Sequence, residues 1–231
     1  MGDAKQDGIG TRVVRTLMQD RDGTIWAGGP QYENGPPISH FDGDRWRTDE
    51  LPMDAPELAG LTLSVRALFR ASDGALWVGL DTDGILRWDG TAWTHFGPNQ
   101  GVELPANAET DVRIRRFAED ATGVMWAAAS SRGLLRFDPA AGRWSRADVL
   151  GSEIIRAVAL FPDNSLWVAG EHMVASSSNA GQDWVLQGES DINVGQDIGS
   201  LVQDGAGRVW AGAYNGGVSV FDRTGWRPLQ R

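Results

Sequence analysis

The sequence predicts an all-β protein, a five-bladed β-propeller of four-stranded antiparallel blades. Three observations predict it. Tryptophan recurs in two interleaved series. A glycine or asparagine stands three residues before each tryptophan of the first series. The segment around that tryptophan is apolar on both faces. Self-similarity at this period marks a repeat architecture and has to be read before any local motif.

The first series is Trp26, Trp77, Trp126, Trp167 and Trp210; the second is Trp46, Trp93, Trp144, Trp184 and Trp226. Aligned on the first, the repeats begin at Val14, Val65, Ile114, Ile155 and Ile198 and read VRTLMQDRDGTIWAG, VRALFRASDGALWVG, IRRFAEDATGVMWAA, IRAVALFPDNSLWVA and IGSLVQDGAGRVWAG. Each is an apolar stretch, a polar turn and a second apolar stretch, here strands a and b. Gly23, Gly74, Gly123, Asn164 and Gly207 occupy the turn, the residue types a left-handed backbone position selects. The downstream halves, ISHFDGDRW, ILRWDGTAW, LLRFDPAAGRW, VASSSNAGQDW and VSVFDRTGW, again read strand, turn, strand and supply strands c and d.

Four-stranded repeats could also build a sandwich or a solenoid. Strand b decides for the propeller. The pairs Ile25–Trp26, Leu76–Trp77, Met125–Trp126, Leu166–Trp167 and Val209–Trp210 place apolar side chains on both faces, as a sheet wedged between two neighbours requires. One propeller over 1–231 is expected, with blades at about 12–52, 62–98, 111–149, 153–188 and 196–231. The same pattern would fit a slice of a larger propeller. No segment carries a helical period, and Asp49 to Leu63 reads as a loop because Pro52, Pro56 and Gly60 interrupt it.

Composition narrows the function. With 21 Lys+Arg against 31 Asp+Glu the chain carries a formal charge of −10, so neither nucleic acid nor an anionic membrane is the expected partner. No cysteine is present, which excludes disulfides, thiol nucleophiles and Cys-based zinc sites. No apolar run is long enough to span a bilayer, and no HExxH or GxSxG occurs. No cofactor is expected, and the chain is expected to be monomeric.

The sharpest candidate chemistry is the second residue of the repeat: Arg15, Arg66, Arg115 and Arg156, with Gly199 in the fifth. Near the start of the innermost strand, four guanidiniums could converge at one channel mouth and hold a carboxylate, sulfate or phosphate. Alternatively, each caps a neighbouring carboxylate. Gly199 would leave room for a ligand to enter beside them. The connections on that face are long and varied, where binding residues concentrate, and Tyr32, Arg132, His172 and Tyr214 are the candidate rim contacts. Glu171 and His172 could serve a lyase or hydrolase as acid and base. Asp81 and Asp83 are a weak alternative for a metal, but neither acidic loop completes a calcium-loop pattern.

The residues also carry a resemblance. The pattern I-x-x-L-x-x-D-x-x-G-x-x-W-x-G followed by G-L-x-R-F-D resembles the two-component regulator propeller repeat, best seen in VRTLMQDRDGTIWAG, VRALFRASDGALWVG with GILRWDG, and IRRFAEDATGVMWAA with GLLRFD. The resemblance runs from about Arg12 onward and extends to streptogramin-lyase-like propellers. It implies bacterial sensing of carbohydrate-like ligands outside the cytoplasm, with any export signal lying outside this sequence. Ser177 to Trp184 resembles a degenerate Asp-box, a structural turn. The expected function is non-catalytic binding of a small anionic or sugar-like ligand, or of a protein segment. A lyase using His172 and Glu171, or a scaffold without a ligand, are the alternatives.

Overall fold

The computed structural model describes residues 8–32, 35–48, 51–102, 113–151, 154–171, 173–188, 197–214, 216–222 and 224–229. Among the described residues twenty strands form five four-stranded antiparallel sheets, each in simple sequence order. Blade 1 is β1 (Thr16–Gln19), β2 (Ile25–Gly28), β3 (Ile38–Phe41) and β4 (Trp46–Arg47). Blade 2 is β5 (Val65–Arg70), β6 (Leu76–Leu80), β7 (Ile85–Trp88) and β8 (Trp93–Phe96). Blade 3 is β9 (Ile114–Glu119), β10 (Met125–Ala129), β11 (Gly133–Asp138) and β12 (Arg143–Ala147). Blade 4 is β13 (Ile155–Leu160), β14 (Leu166–Gly170), β15 (Val174–Ser177) and β16 (Val185–Gly188). Blade 5 is β17 (Ile198–Gln203), β18 (Val209–Ala213), β19 (Gly217–Phe221) and β20 (Trp226–Pro228). The fold class is the five-bladed β-propeller. Among the described residues the helical segments are single 3-10 turns, Pro56–Leu58 and Pro98–Gln100; none is long and apolar enough to cross a membrane.

The turns form where the repeat demanded them. Gly23, Gly74, Gly123, Asn164 and Gly207 all have positive φ, and Asn164, at 62°, is the one with a side chain. The central strands β6, β10 and β14 are buried at every residue, as sheets covered on both faces require. In the outer hairpins, Phe41–Trp46, Trp88–Trp93, Phe137–Trp144 and Phe221–Trp226 stand directly opposite each other, with ring centroids 5.3–5.6 Å apart. Tilted aromatic pairs of this kind stabilise a two-stranded edge beyond their burial. In blade 4, Ser177 anchors the Asp-box-like turn instead. Its hydroxyl accepts from Gly181 N–H at 2.9 Å, and Asn179 Oδ1 accepts from Asp183 N–H at 2.9 Å.

The chain divides into two compact units, Met1–Ile114 and Arg115–Arg231. In the first, Trp26 and Met18 of blade 1 pack with Leu68 and Leu76 of blade 2. The segment expected to be an open loop before β5 belongs to this core. Leu58 is buried there, Leu51, Met53 and Leu61 pack against it, and Trp93 Nε1 donates to the Pro52 carbonyl at 3.2 Å. The prolines prevent regular structure but not burial. In the second unit one cluster joins Ala118 and Trp126 of blade 3 to Val158 and Leu166 of blade 4. Another joins Trp167 and Ala159 of blade 4 to Leu201 and Val209 of blade 5.

Candidate functional site

The arginine position of the repeat coincides with a break in pairing. Val65 pairs with Leu80 and Ala67 with Gly79, so Arg66 has no partner residue across the hairpin. The register shifts likewise between Ile155 and Ala157, at Arg156, and between Ile198 and Ser200, at Gly199. A β-bulge re-aims the side chain of the extra residue, which is why a binding-type residue can stand near the start of a core strand at this one place.

In the first unit the bulge arginines meet a carboxylate. Asp81 follows β6, and its Oδ1 accepts from Arg66 Nε at 2.7 Å. Its Oδ2 accepts from Arg15 Nη1 and, at 2.7 Å, from the Ser64 hydroxyl. Arg113 Nε stands 3.8 Å from Asp81 Oδ1. Burial alone would raise the Asp81 pKa. Its hydrogen bonds from Arg66 and Ser64 and the charges of Arg66 and Arg15 outweigh that and hold it below the ordinary range. Asp83 is engaged in the turn itself, accepting from Thr62 N–H at 3.1 Å and from the Thr82 hydroxyl at 2.7 Å. Its carbonyl accepts from His95 Nε2 at 2.6 Å. Both candidate metal carboxylates are thus occupied by protein donors. Tyr32 lies exposed in the same unit, in the β2–β3 connection.

In the second unit Arg156 Nη2 pairs with Asp197 Oδ1 at 2.9 Å. Arg115 is held by two hydroxyls: its Nε donates to Ser130 Oγ and its Nη1 to the Tyr214 hydroxyl at 3.1 Å. The guanidinium carbon also lies 5.8 Å from the Tyr214 ring centroid, within cation–π range. Tyr214 directly follows β18 and is 66% exposed, with its backbone N–H on the Asp197 carbonyl at 3.0 Å. Its ring stands where the fifth arginine would start, since a Cβ on Gly199 would lie 2.8 Å from Tyr214 Cε2. The open ground beside this ring is a cleft of about 430 Å³, with Gly199, Gly212 and Gly217 among its lining, Tyr214 and Val218 at its sides and Arg116 as its one ionised lining residue among the described residues.

Arg132 is half-buried at the β10–β11 turn, its backbone N–H on the Ala129 carbonyl at 3.2 Å. Glu171 is exposed and its backbone bridges to Asp197. His172 lies outside the described residues. The predicted residues thus gather in two sets. Arg15 and Arg66 share Asp81 in one unit; in the other, Arg115 stands with Tyr214 and Arg156 with Asp197. Arg116 and Asp197 were missed. Arg116 did leave a signal: repeat three doubles its arginine where the others have Thr16, Ala67, Ala157 and Ser200.

The family description "Two component regulator propeller" matches residues 8–31, the first repeat. No curated protein matches the chain. Several solved structures share its fold. One is the extracellular domain assigned to the hybrid two component system BT3049 of B. thetaiotaomicron, with TM-score 0.68 and 19% identity, covering 91% of this chain and 27% of that one. Another is virginiamycin B lyase of Staphylococcus aureus, with TM-score 0.65 and 14% identity, covering 93% and 69%. A third is PorZ, a surface component of the type-IX secretion system of Porphyromonas gingivalis, with TM-score 0.67 and 17% identity, covering 95% and 34%. The chain therefore spans about a quarter to two-thirds of these neighbours. Its first repeat matches the two-component regulator propeller description, and lyase propellers are among its structural neighbours.

Proposed function

We propose that this propeller is a non-catalytic recognition module for a small anionic, carbohydrate-like ligand, bound in the cleft at Tyr214. The observation that carries the reading is the pairing of an open aromatic face with a cleft whose one ionised lining residue, among the described residues, is a guanidinium. A sugar ring packs on an aromatic face, and a carboxylate or sulfate on it meets Arg116, with Arg115 behind the tyrosine. The glycine lining lets a ligand approach backbone N–H and C=O groups closely. Arg15, Arg66 and Arg156 take supporting parts, since carboxylates already engage them. The extracellular setting of the B. thetaiotaomicron neighbour suits such a ligand.

Calorimetric titration with glucuronate, sulfate and neutral glucose tests the reading. Glucuronate is expected to bind, and Arg116→Ala and Tyr214→Ala each to weaken it tenfold or more, since a hydrogen bond to a charged group contributes about 1.5–3 kcal/mol. Absence of binding by every probe, binding unchanged in both variants, or chemical turnover of the bound sugar would overturn it.

A further inference from the structure

One carboxylate in the first unit gathers more cations than it can balance. Asp81 Oδ1 accepts from Arg66 Nε, its Oδ2 accepts from Arg15 Nη1, and Arg113 Nε stands 3.8 Å from Oδ1. Three guanidiniums thus surround one carboxylate, a local surplus of two positive charges in a chain whose formal charge is −10. Asp83 is turned to other donors: its Oδ2 is taken up by Thr62 N–H and the Thr82 hydroxyl. At the corresponding place in the second unit Arg156 pairs with Asp197, one cation to one carboxylate.

The surplus is held in place and faces solvent. Arg66 is the extra residue of the β5–β6 bulge. Arg15 Nη1 also donates to the Ser64 hydroxyl at 2.8 Å, and that hydroxyl donates to Asp81 at 2.7 Å, so Asp81 and Ser64 fix both guanidiniums side by side. Each has donors to spare. Asp81 takes only the Nε of Arg66 and one Nη of Arg15. Among the described residues no acceptor meets the Nη groups of Arg66, or the Nε and Nη2 of Arg15. The side chains of Arg66, Arg15 and Arg113 are 22%, 30% and 40% exposed, so a dissolved ion has access to all three. The Asp81 carboxyl senses the same field. Burial would raise its pKa, yet the bonds from Arg66 and Ser64 and the charges of Arg66 and Arg15 hold it low.

We propose that Arg15, Arg66 and Arg113 form a binding site for a doubly charged tetrahedral oxyanion of the phosphate class, with Asp81 as the residue that positions them. Charge selects the class. Two negative charges match the surplus, whereas a single carboxylate leaves one positive charge unbalanced. Geometry selects it too. A planar guanidinium fork suits two oxygens of a phosphate, and three guanidiniums call for an acceptor with more oxygens than a carboxylate has. The site lies wholly within Met1–Ile114 and shares no residue with the Tyr214 cleft, so it does not rest on the sugar-binding reading.

Calorimetric titration of the full chain at pH 8 and low ionic strength tests it, in an Arg116→Ala background so that the cleft guanidinium contributes nothing. Inorganic phosphate is expected to bind about tenfold tighter than acetate, or better. Arg15→Gln and Arg66→Gln are each expected to weaken phosphate about tenfold, with circular dichroism unchanged. Should either fail to fold, Arg113→Gln takes its place: its contact with Asp81 is the longest of the three, and it is expected to weaken phosphate about threefold. Glycerol 3-phosphate separates the sources of the group. Binding like that of phosphate assigns the site to a phosphate ester, binding of phosphate alone assigns it to the free ion, and either supports the proposal. Absence of phosphate binding, equal affinity for acetate, or binding unchanged in every folded arginine variant would overturn it.

Discussion

The indole N–H of Trp126 donates to Asp120 Oδ2 at 2.9 Å, a hydrogen bond between two buried side chains. The same bond joins Trp210 to Asp204 at 2.8 Å. In blade 4, where Phe161 replaces the aspartate, Ser165 Oγ accepts from Trp167 at 2.8 Å. In blade 1 the equivalent Asp20 accepts from Arg70 instead, and Trp26 Nε1 finds no acceptor among the described residues. Asp120 Oδ1 also accepts from the Thr122 and Val124 N–H groups, so one carboxylate ties the a–b turn to the inter-blade core.

Asp120→Ala is therefore expected to lower the unfolding free energy by about 1–3 kcal/mol, the usual consequence of leaving a buried donor unpaired. Urea denaturation measures it. In a Trp126→Phe background, where the donor is gone, the same substitution is expected to lose less. An equal loss in both backgrounds would assign the effect to the turn alone.

The acid limb of the stability curve follows from the same carboxylates. The Trp210 indole bond, with the Arg208 and Ala206 donors, holds Asp204 down to about 2. Asp120 is also lowered: burial opposes this, but the bonds from Thr122 and Trp126 outweigh it. An unfolded aspartate titrates near about 3.9. Between the two values the unfolded chain binds more protons than the folded one, so the stability these groups contribute is full above about pH 5 and is lost as pH falls from about 4 toward 2. Melting temperature against pH is expected to be flat with respect to them above that range and to fall below it. Asp204→Asn is expected to make the acid slope shallower.

Glycine at positive φ is required at two turns for different reasons. Gly74 has φ 88° and open space where a Cβ would go; Gly181 has φ 74° and a Cβ there would lie 2.5 Å from Trp126 Cη2. Gly74→Ala is expected to cost about 1–2 kcal/mol from backbone strain alone, or roughly 2–8 °C in melting temperature at about 2–4 °C per kcal/mol for a chain of this size. Gly181→Ala is expected to cost distinctly more, because the indole must also move. Equal shifts for the two would remove the steric part of the argument.

Gly199→Arg restores the residue of the other repeats. Its side chain would displace the Tyr214 ring and fill the cleft, so the variant is expected to keep its circular dichroism and to lose glucuronate binding. Retained binding would place the ligand elsewhere.

Much of the fold was legible because burial between sheets imposes large apolar residues at fixed register and turns impose glycine or asparagine, and both recur five times. The arginine position was legible for the same reason, although the bulge that gives Arg66 and Arg156 their freedom leaves no mark in residue type. What Arg15 and Arg66 share was not legible. Asp81 lies in a turn of blade 2, and nothing in spacing brings it to an arginine of blade 1. The burial of Leu58 was hidden for a related reason: prolines signal the absence of regular structure and say nothing about what a segment covers. Tyr214 could be named from its connection, but its place against Gly199 depends on the β17–β18 register.

Blade 4 contributes Val158 and Leu166 to one core and Trp167 and Ala159 to the next, so it owns no hydrophobic interior apart from its neighbours. Such a sheet cannot melt privately; opening it strips both adjoining sheets of half their cover. The second unit should therefore lose its structure in a single cooperative event, with the amides of β13 and β14 the last to exchange with solvent.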